Sequence, residues 1–97
     1  TMAAAYEVAQ LQGVAIHPAQ LLWLATEGSA KALHLENVIG NLKPGVEADL
    51  CVLNLNSTSA IDQRVKNANN FWESLFPTIM MGDDRAVRQV WVAGKAV

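Results

Sequence analysis

The sequence predicts an α+β fold, with helices first and strands after them. Residues 1–12 are strong helix formers whose apolar positions recur at helical spacing. A passage over residues 37–46, which holds two glycines and a proline, separates this part from two later runs rich in apolar residues. These observations divide the chain into a helical segment, residues 1–36, and a strand-containing segment, residues 37–97.

Three helices are expected in the first segment. Proline is tolerated in the first turn of a helix, so His17-Pro18 marks the start of the second one. This helix is apolar on nearly every side over residues 21–25, a pattern typical of an element that its neighbours bury. A break at residues 26–30 is expected to lead into a short third helix, Ser29 to Leu35.

The second segment is expected to form strands around a helical insertion. Pro44-Gly45 fits the central positions of a type II turn, and the apolar run from Ala48 to Leu55 predicts a buried strand. Residues 61–81 carry apolar side chains at partly helical spacing, interrupted by a proline, and predict the insertion. Residues 86–97 predict a strand, a tight turn at Ala93-Gly94-Lys95 and the start of another strand.

The length, composition and charge of the chain indicate one globular unit and argue against nucleic-acid and membrane partners. With 97 residues and 52% apolar content, the chain can bury the core of one globular unit. Seven basic side chains against nine acidic ones lack the basic excess that binding to a phosphate backbone needs, so no nucleic-acid partner is expected. The longest apolar stretches fall far below the roughly 18 residues of a membrane span, so no membrane partner is expected either.

Cysteine usage and the first residues bear on location. Cys51 is the only cysteine, which excludes an internal disulfide and suits a reducing compartment, so we expect a cytoplasmic protein. Residues 1–7 lack a basic stretch followed by a long apolar one, so no signal peptide is expected. They enter an amphipathic helix without a cap or leader, and we therefore expect the chain to be part of a longer one.

The histidines match no metal motif. His17 and His34 are the only two and fall on different predicted helices, which excludes a His-Glu-x-x-His pair. We expect His17 to begin a helix and His34 to lie near a helix end, where its charge suits the helix dipole. The single cysteine excludes a Cys-rich zinc site. Both histidines are therefore assigned structural roles.

The densest charge cluster is Asp83-Asp84-Arg85. Adjacent carboxylates beside an arginine could bind a metal or polarise a substrate, but Asp is a preferred turn residue and no third ligand is near in sequence. A turn is therefore favoured. Cys51 lies in a predicted strand without a basic neighbour that would activate its thiol, which favours a buried apolar role over that of a nucleophile.

The remaining candidates are also assigned structural roles. The hydroxyl residues 57–59 lack the Gly-x-Ser-x-Gly setting of a hydrolase nucleophile. Trp23, Trp72 and Trp91 are expected to be core anchors rather than a set that stacks a ligand. No residue is therefore predicted to be catalytic, to bind a cofactor or to bind a metal.

A resemblance to a known family rests on residues 39–53. There a glycine, a leucine, Pro44-Gly45 and then Ala48-Asp49-Leu50 precede an apolar strand. This pattern resembles amidohydrolase-superfamily enzymes at the point where the chain leaves the barrel and re-enters a small β-sandwich. Residues 22–33 look like the helix that precedes this point, and residues 90–97 look like the family's terminal hairpin. The resemblance implies the end of a (β/α)8 barrel followed by strands of a composite sandwich.

Residues 75–85 resemble one subgroup of these enzymes. Leu75-Phe76, followed by the stretch from Met80 to Asp83-Asp84-Arg85, is similar to guanine deaminases. Such an enzyme would use zinc to activate water for the hydrolysis of guanine to xanthine and ammonia. The family's zinc ligands, a His-x-His, two later histidines and an aspartate, have no match here. The resemblance implies an incomplete C-terminal fragment that is not catalytic by itself, and it assigns no role to the three charged residues.

Two other interpretations stay open. The chain could be a stand-alone, self-associating interaction module, or a fragment of another amidohydrolase such as a different purine deaminase or a chlorohydrolase. In the family, a barrel and the rest of the sandwich would cover parts of this segment, and those covering parts are missing here. Apolar side chains of residues 21–25 and unpaired strand edges would then be exposed, so we expect a homo-oligomer.

Overall fold

The first helix begins at a capping side chain. In the computed structural model, which describes residues 1–97, α1 spans Met2–Leu11. The hydroxyl oxygen of Thr1 accepts a hydrogen bond from the backbone N–H of Ala4 at 3.2 Å. Gly13, at φ +79°, follows the helix in the left-handed region that glycine adopts without strain. The expectation that this helix starts without a cap was wrong, because Thr1 itself satisfies one of the free N–H groups.

The second helix continues into the third without a break. α2 spans Pro18–Trp23, a π-helical turn spans Leu24–Gly28, and α3 spans Ser29–Ala32. The hydroxyl of Ser29 donates to the backbone carbonyl of Leu24 at 2.5 Å, so the first carbonyl of the π-helical turn accepts a hydrogen bond from a side chain. The predicted break and the predicted helix from Ser29 to Leu35 were therefore wrong, since the chain stays helical and stops earlier.

The loop after these helices packs closely against them. Gly40, at φ +99°, lies so near α3 that a Cβ there would stand 2.7 Å from the Cβ of Ala30. Gly45, at φ +93°, is the third residue of a turn closed by a 3.4 Å hydrogen bond from the N–H of Val46 to the carbonyl of Lys43. The predicted type II turn at Pro44-Gly45 is confirmed by this geometry.

Three short strands form one antiparallel sheet. They are β1 (Leu50–Leu53), β2 (Val87–Val92) and β3 (Lys95–Ala96), in the order β1-β2-β3. β1 is paired with β2 so that Leu50 faces Trp91, and the register shifts after Val52. The two residues between β2 and β3 have φ angles of 51° and 80°, as a type I′ hairpin turn requires. The sequence expectation of a strand, a tight turn and another strand is confirmed.

The first strand is shorter and more exposed than expected. β1 covers four residues rather than the whole run from Ala48 to Leu55. Cys51, Val52 and Leu53 are all exposed. A continuous apolar run is typical of a strand covered on both faces, but the extensive contacts of β1 are with β2 alone, and no helix packs extensively over its faces. The prediction of a buried strand was wrong for these 97 residues.

Two helices occupy the interval between β1 and β2. α4 spans Ser59–Val65 and begins at Thr58, whose hydroxyl oxygen accepts from the N–H of Ile61 at 3.3 Å. α5 spans Phe71–Met81 and includes Pro77, which is buried. The sequence pattern had indicated an interruption at Pro77, and that was wrong, because the helix continues through the proline although one backbone N–H is missing from its ladder.

The core lies where α1, α2 and α5 meet. Leu21 from α2 packs with Leu75 and Ile79 from α5, and all three are buried. Half-buried apolar residues surround them: Met2, Ala5, Tyr6, Ile16, Leu22, Leu55, Trp72, Phe76 and Met80. This core joins residues from both predicted segments, 1–36 and 37–97. The boundary between the segments remains a prediction.

Many apolar side chains remain exposed. In the stretch expected to be buried on nearly every side, Leu21 is fully buried, but Trp23 is 46% exposed and Leu24 is 45% exposed. That prediction was wrong because α2 contacts neighbours on one side only, and no partner covers the other side of the helix within these residues. None of the helices is long and apolar enough to cross a membrane.

Candidate functional site

The two histidines lie at opposite ends of one helical stretch. His17 caps α2: its Nδ1 accepts a hydrogen bond from the N–H of Ala19 at 3.0 Å, and Gln20 bonds back to its backbone N–H. The neutral imidazole therefore carries its proton on Nε2. His34 follows α3 at φ +60° and is exposed. His17 thus begins a helix and His34 lies near a helix end, as predicted, and their assignment to structural roles remains a prediction.

Asp83, Asp84 and Arg85 form the turn before β2. The guanidinium of Arg85 donates to both carboxylate oxygens of Asp83, at 2.6 Å from Nη2 and 3.1 Å from Nε. The side-chain hydrogen bond from Arg85 is the main cause that lowers the pKa of Asp83 below its ordinary value, and the same bond raises the pKa of Arg85. Asp84 opens a 3-10 turn that ends at Ala86. The three residues thus form a turn in which Arg85 is paired with Asp83, and the predicted turn is confirmed.

Cys51 and the hydroxyl residues do not approach one another as a catalytic pair. The thiol of Cys51 is free and exposed on β1, so the predicted buried role was wrong, because no helix packs extensively over the faces of this strand. Thr58 uses its hydroxyl to cap α4. The hydroxyl of Ser57 is buried without a hydrogen-bond partner. None of these groups has a base within hydrogen-bond distance, which is what activation of a nucleophile requires.

The tryptophans differ in their surroundings. Trp72 is half-buried and meets the imidazole of His17 edge to face, with ring centroids 5.7 Å apart. Trp91 is half-buried on β2, whereas Trp23 is exposed and lies over Gly28, where a Cβ would be 2.7 Å from the indole ring. The expectation of three core anchors was wrong for Trp23, because the face of the helix that bears it is uncovered.

The acidic, histidine and cysteine side chains do not cluster. No group of three or more of them is arranged to hold a metal ion. The carboxylates instead bond local partners: Asp62 accepts from the amide of Asn56 at 2.7 Å, and Glu73 accepts from the N–H of Asn69 at 2.6 Å. These residues organise turns and helix starts.

One concave feature of the chain is a cleft of about 670 Å³. It lies between the linker that precedes α2 and the linker that joins α4 to α5. Its lining residues are Tyr6, Ala15, Ile16, His17, Pro18, Arg64, Asn67, Ala68, Asn69, Asn70, Trp72, Glu73, Phe76 and Pro77. The cleft was not predicted from the sequence, because its two walls are about 50 positions apart along the chain. The signal available in the sequence was the amide-rich stretch just before Phe71-Trp72.

Comparison with known proteins places the chain in a family. A profile described as "Amidohydrolase family" matches residues 13–97. The chain belongs to the amidohydrolase family. The motif around Pro44-Gly45 and Ala48-Asp49-Leu50, on which the resemblance was based, lies inside the matched range.

Two relatives of this amidohydrolase chain are described as guanine deaminases. The chain is 38% identical over 97 residues to guanine deaminase of Escherichia coli (strain K12), and 33% identical over 96 residues to a probable guanine deaminase of Deinococcus radiodurans. These matches cover 100% and 96% of the chain but 22% of each relative. The chain thus spans less than a quarter of the length of the curated relatives that it matches.

Solved structures agree with the sequence matches. The structure of E. coli guanine deaminase superposes on the whole chain with a TM-score of 0.94 at 38% identity, over 23% of that structure. A guanine deaminase structure from Bradyrhizobium japonicum covers 86% of the chain with a TM-score of 0.73 at 31% identity, over 20% of that structure. The α+β arrangement of this amidohydrolase chain is therefore one that guanine deaminases contain.

Proposed function

We propose that the chain is the C-terminal part of a guanine deaminase-like amidohydrolase, and that it contributes structure rather than catalytic groups. The observation that carries this proposal is the match to E. coli guanine deaminase over every residue of the chain, at 38% identity and a TM-score of 0.94. The stretch from Met80 to Arg85, which is similar to guanine deaminases, supports the same subgroup. The intact enzyme would convert guanine and water to xanthine and ammonia.

Zinc, which the family resemblance implies for the intact enzyme, does not fit the residues of this chain. His17 is engaged as a helix cap, His34 lies beyond the other end of the same helical stretch, and Cys51 is alone on an edge strand. Zinc sites need three or four ligands that converge on one point. We therefore place the zinc ligands outside residues 1–97.

The helices and the sheet would have separate structural tasks. Leu11, Val14 and Leu24, exposed on the helical part, supply an apolar surface suited to packing on the end of a barrel. β1 has one unpaired edge, suited to strand pairing within a larger sandwich. Both features support the proposed placement between a barrel and a composite sandwich.

Self-association is the second part of the proposal. The same exposed apolar side chains favour a homo-oligomer of the isolated chain, and they are the observation that favours the alternative of a stand-alone interaction module. An exposed free thiol at Cys51 suits the reducing conditions of the cytoplasm, where we place the protein.

A segment exchange tests the structural role. In E. coli guanine deaminase, the region that matches this chain is replaced by residues 1–97, and deamination of guanine is measured as ammonia release. We expect activity within about tenfold of the parent enzyme, which corresponds to a rise of about 1.4 kcal/mol or less in the activation barrier. A second chimera carrying His17→Gln and His34→Gln should retain the activity of the first.

The outcomes separate the alternatives. A folded chimera without guanine deamination would contradict the assignment to the guanine deaminase subgroup. Loss of activity only in the chimera with both histidine substitutions, with its folding intact by circular dichroism, would contradict the non-catalytic role. The longer natural polypeptide that contains this chain is then assayed with guanine and adenine, and preference for adenine would favour a different purine deaminase.

A further inference from the structure

The cleft between the two linkers is built on a scale that suits a small molecule. Its volume of about 670 Å³ falls inside the range of roughly 300 to 1,000 Å³ that is usual for ligand sites. Its lining includes apolar residues, among them Ile16, Pro18 and Pro77. None of the roles proposed above for this chain uses the cleft.

Four ring-bearing side chains line the cleft, and they form two pairs whose rings are in contact. Tyr6 and Phe76 meet edge to face, with ring centroids 5.0 Å apart, and His17 and Trp72 meet in the same way at 5.7 Å. Edge-to-face pairs limit the rotation of both rings. The cleft thus presents ring surfaces in fixed orientations, which favours a flat, aromatic ligand over a flexible aliphatic one.

The two charged side chains of the cleft, Arg64 and Glu73, differ in how far the other residues of the chain already engage them. Arg64 takes part in none of the three ion pairs of the structure and in no side-chain hydrogen bond. Glu73 is the one acidic lining residue, and one of its oxygens already accepts the N–H of Asn69 at 2.6 Å. Nδ1 of His17 is occupied as an acceptor, which leaves Nε2–H as a donor. A ligand that brings negatively charged acceptors would complement these groups.

We propose that this cleft binds a small aromatic carboxylate, with the guanidinium of Arg64 pairing with the carboxylate and the rings of His17 and Trp72 contacting the ligand's ring. Arginine offers two parallel N–H donors that match the two oxygens of a carboxylate. The site lies among side chains of this chain alone and does not depend on the proposed deaminase assignment.

Titration of the isotope-labelled 97-residue chain with benzoate tests the proposal. Backbone and indole NMR signals of the lining residues should shift with one saturable curve, with a Kd on the order of 1 mM for a ligand of this size. Benzamide has the same ring without the charge, and acetate has the charge without the ring. Each should bind at least about fivefold more weakly than benzoate.

Two arginine variants provide the matched comparison. Arg64→Gln should weaken benzoate binding about fivefold to tenfold and leave benzamide binding unchanged. Arg88→Gln removes an exposed arginine from β2, outside the cleft, and should leave both unchanged. Dispersed NMR spectra establish that each variant is folded.

Three results would overturn the proposal: equal binding of benzoate and benzamide, equal losses in the two arginine variants, or shifts that map away from the lining residues. Absence of saturable shifts up to about 20 mM benzoate would overturn it as well, because a site of this volume should exceed that affinity.

Discussion

The carboxylate of Asp49 accepts a hydrogen bond from the backbone N–H of Ala93 at 2.7 Å. Next to it, the N–H of Gly94 donates to the carbonyl of Ala48 at 3.0 Å. The two bonds join the start of β1 to the turn between β2 and β3. They give a physical reason for the aspartate in the Ala48-Asp49-Leu50 motif, because Asp49 holds a hairpin turn whose own backbone N–H groups would otherwise lack partners.

Asp49→Ala should destabilise the chain by about 1 kcal/mol, since it removes one hydrogen bond between a charged acceptor and a backbone N–H. Urea unfolding followed by circular dichroism measures the change. Asp84→Ala is the control: the carboxylate of Asp84 is exposed, makes no hydrogen bond and should cost little. Equal losses in the two variants would show that the Ala93 bond contributes nothing specific.

Gly40→Ala and Gly45→Ala should differ although both glycines have φ angles above +90°. A methyl group at Gly40 meets the Cβ of Ala30 at 2.7 Å, whereas nothing lies within 4 Å at Gly45. We expect a loss of about 2–4 kcal/mol at Gly40, from backbone strain and overpacking, and about 1 kcal/mol at Gly45, from strain alone. Thermal or urea unfolding gives both values, and a Gly45 variant that is the less stable of the two would contradict the packing described above.

Leu21→Ala should cost about 2–4 kcal/mol, because Leu21 is fully buried between Leu75 and Ile79 and its truncation leaves a cavity. Leu42→Ala removes the same atoms from a side chain that is 79% exposed, and it should change the free energy of unfolding by less than about 0.5 kcal/mol. The two unfolding curves, recorded under one condition, provide the test. Similar losses would mean that α2 does not pack on α5.

Arg85→Gln should raise the pKa of Asp83 toward its ordinary value of 3.8, since the guanidinium hydrogen bond is the main cause of the lowered pKa. Carboxyl NMR titration measures this shift, and Arg88→Gln should leave the Asp83 titration unchanged.

The lowered pKa also fixes the sign of the pH effect. The stability that the Asp83–Arg85 pair contributes is present above the unfolded pKa and is lost as the pH falls through the folded pKa. The difference in unfolding free energy between the wild type and Arg85→Gln should therefore be constant above about pH 5 and shrink below it. A difference that grows on acidification would contradict this assignment.

Self-association should be visible by analytical ultracentrifugation at micromolar concentration. Leu11 is 88% exposed and Leu24 is 45% exposed on the uncovered side of the helices, and a second copy would remove such surfaces from water. Leu24→Glu should shift the population toward monomer, and Leu42→Glu in the loop should not. A folded wild-type monomer at every concentration would refute the prediction.

The sequence determined the local structure wherever one residue type has a strong backbone preference. Pro18 after His17 marked a helix start, Gly45 after Pro44 marked a type II turn, and Gly94 marked a hairpin turn. Each depends on the restricted φ of proline or the freedom of glycine, which neighbours far along the chain do not change. The same short motifs carried the family resemblance, and the profile match over residues 13–97 confirms it.

Only the tertiary structure decided which apolar residues are covered. The apolar runs at residues 21–25 and 48–55 both have the sequence pattern of buried elements, yet Leu21 is buried while Trp23 and Val52 are exposed. Apolar content reports a tendency to leave water, but burial depends on which elements meet, and β1 meets only one neighbouring strand. The existence of the cleft also depends on the tertiary structure, because His17 and Trp72 come together only when α2 packs on α5.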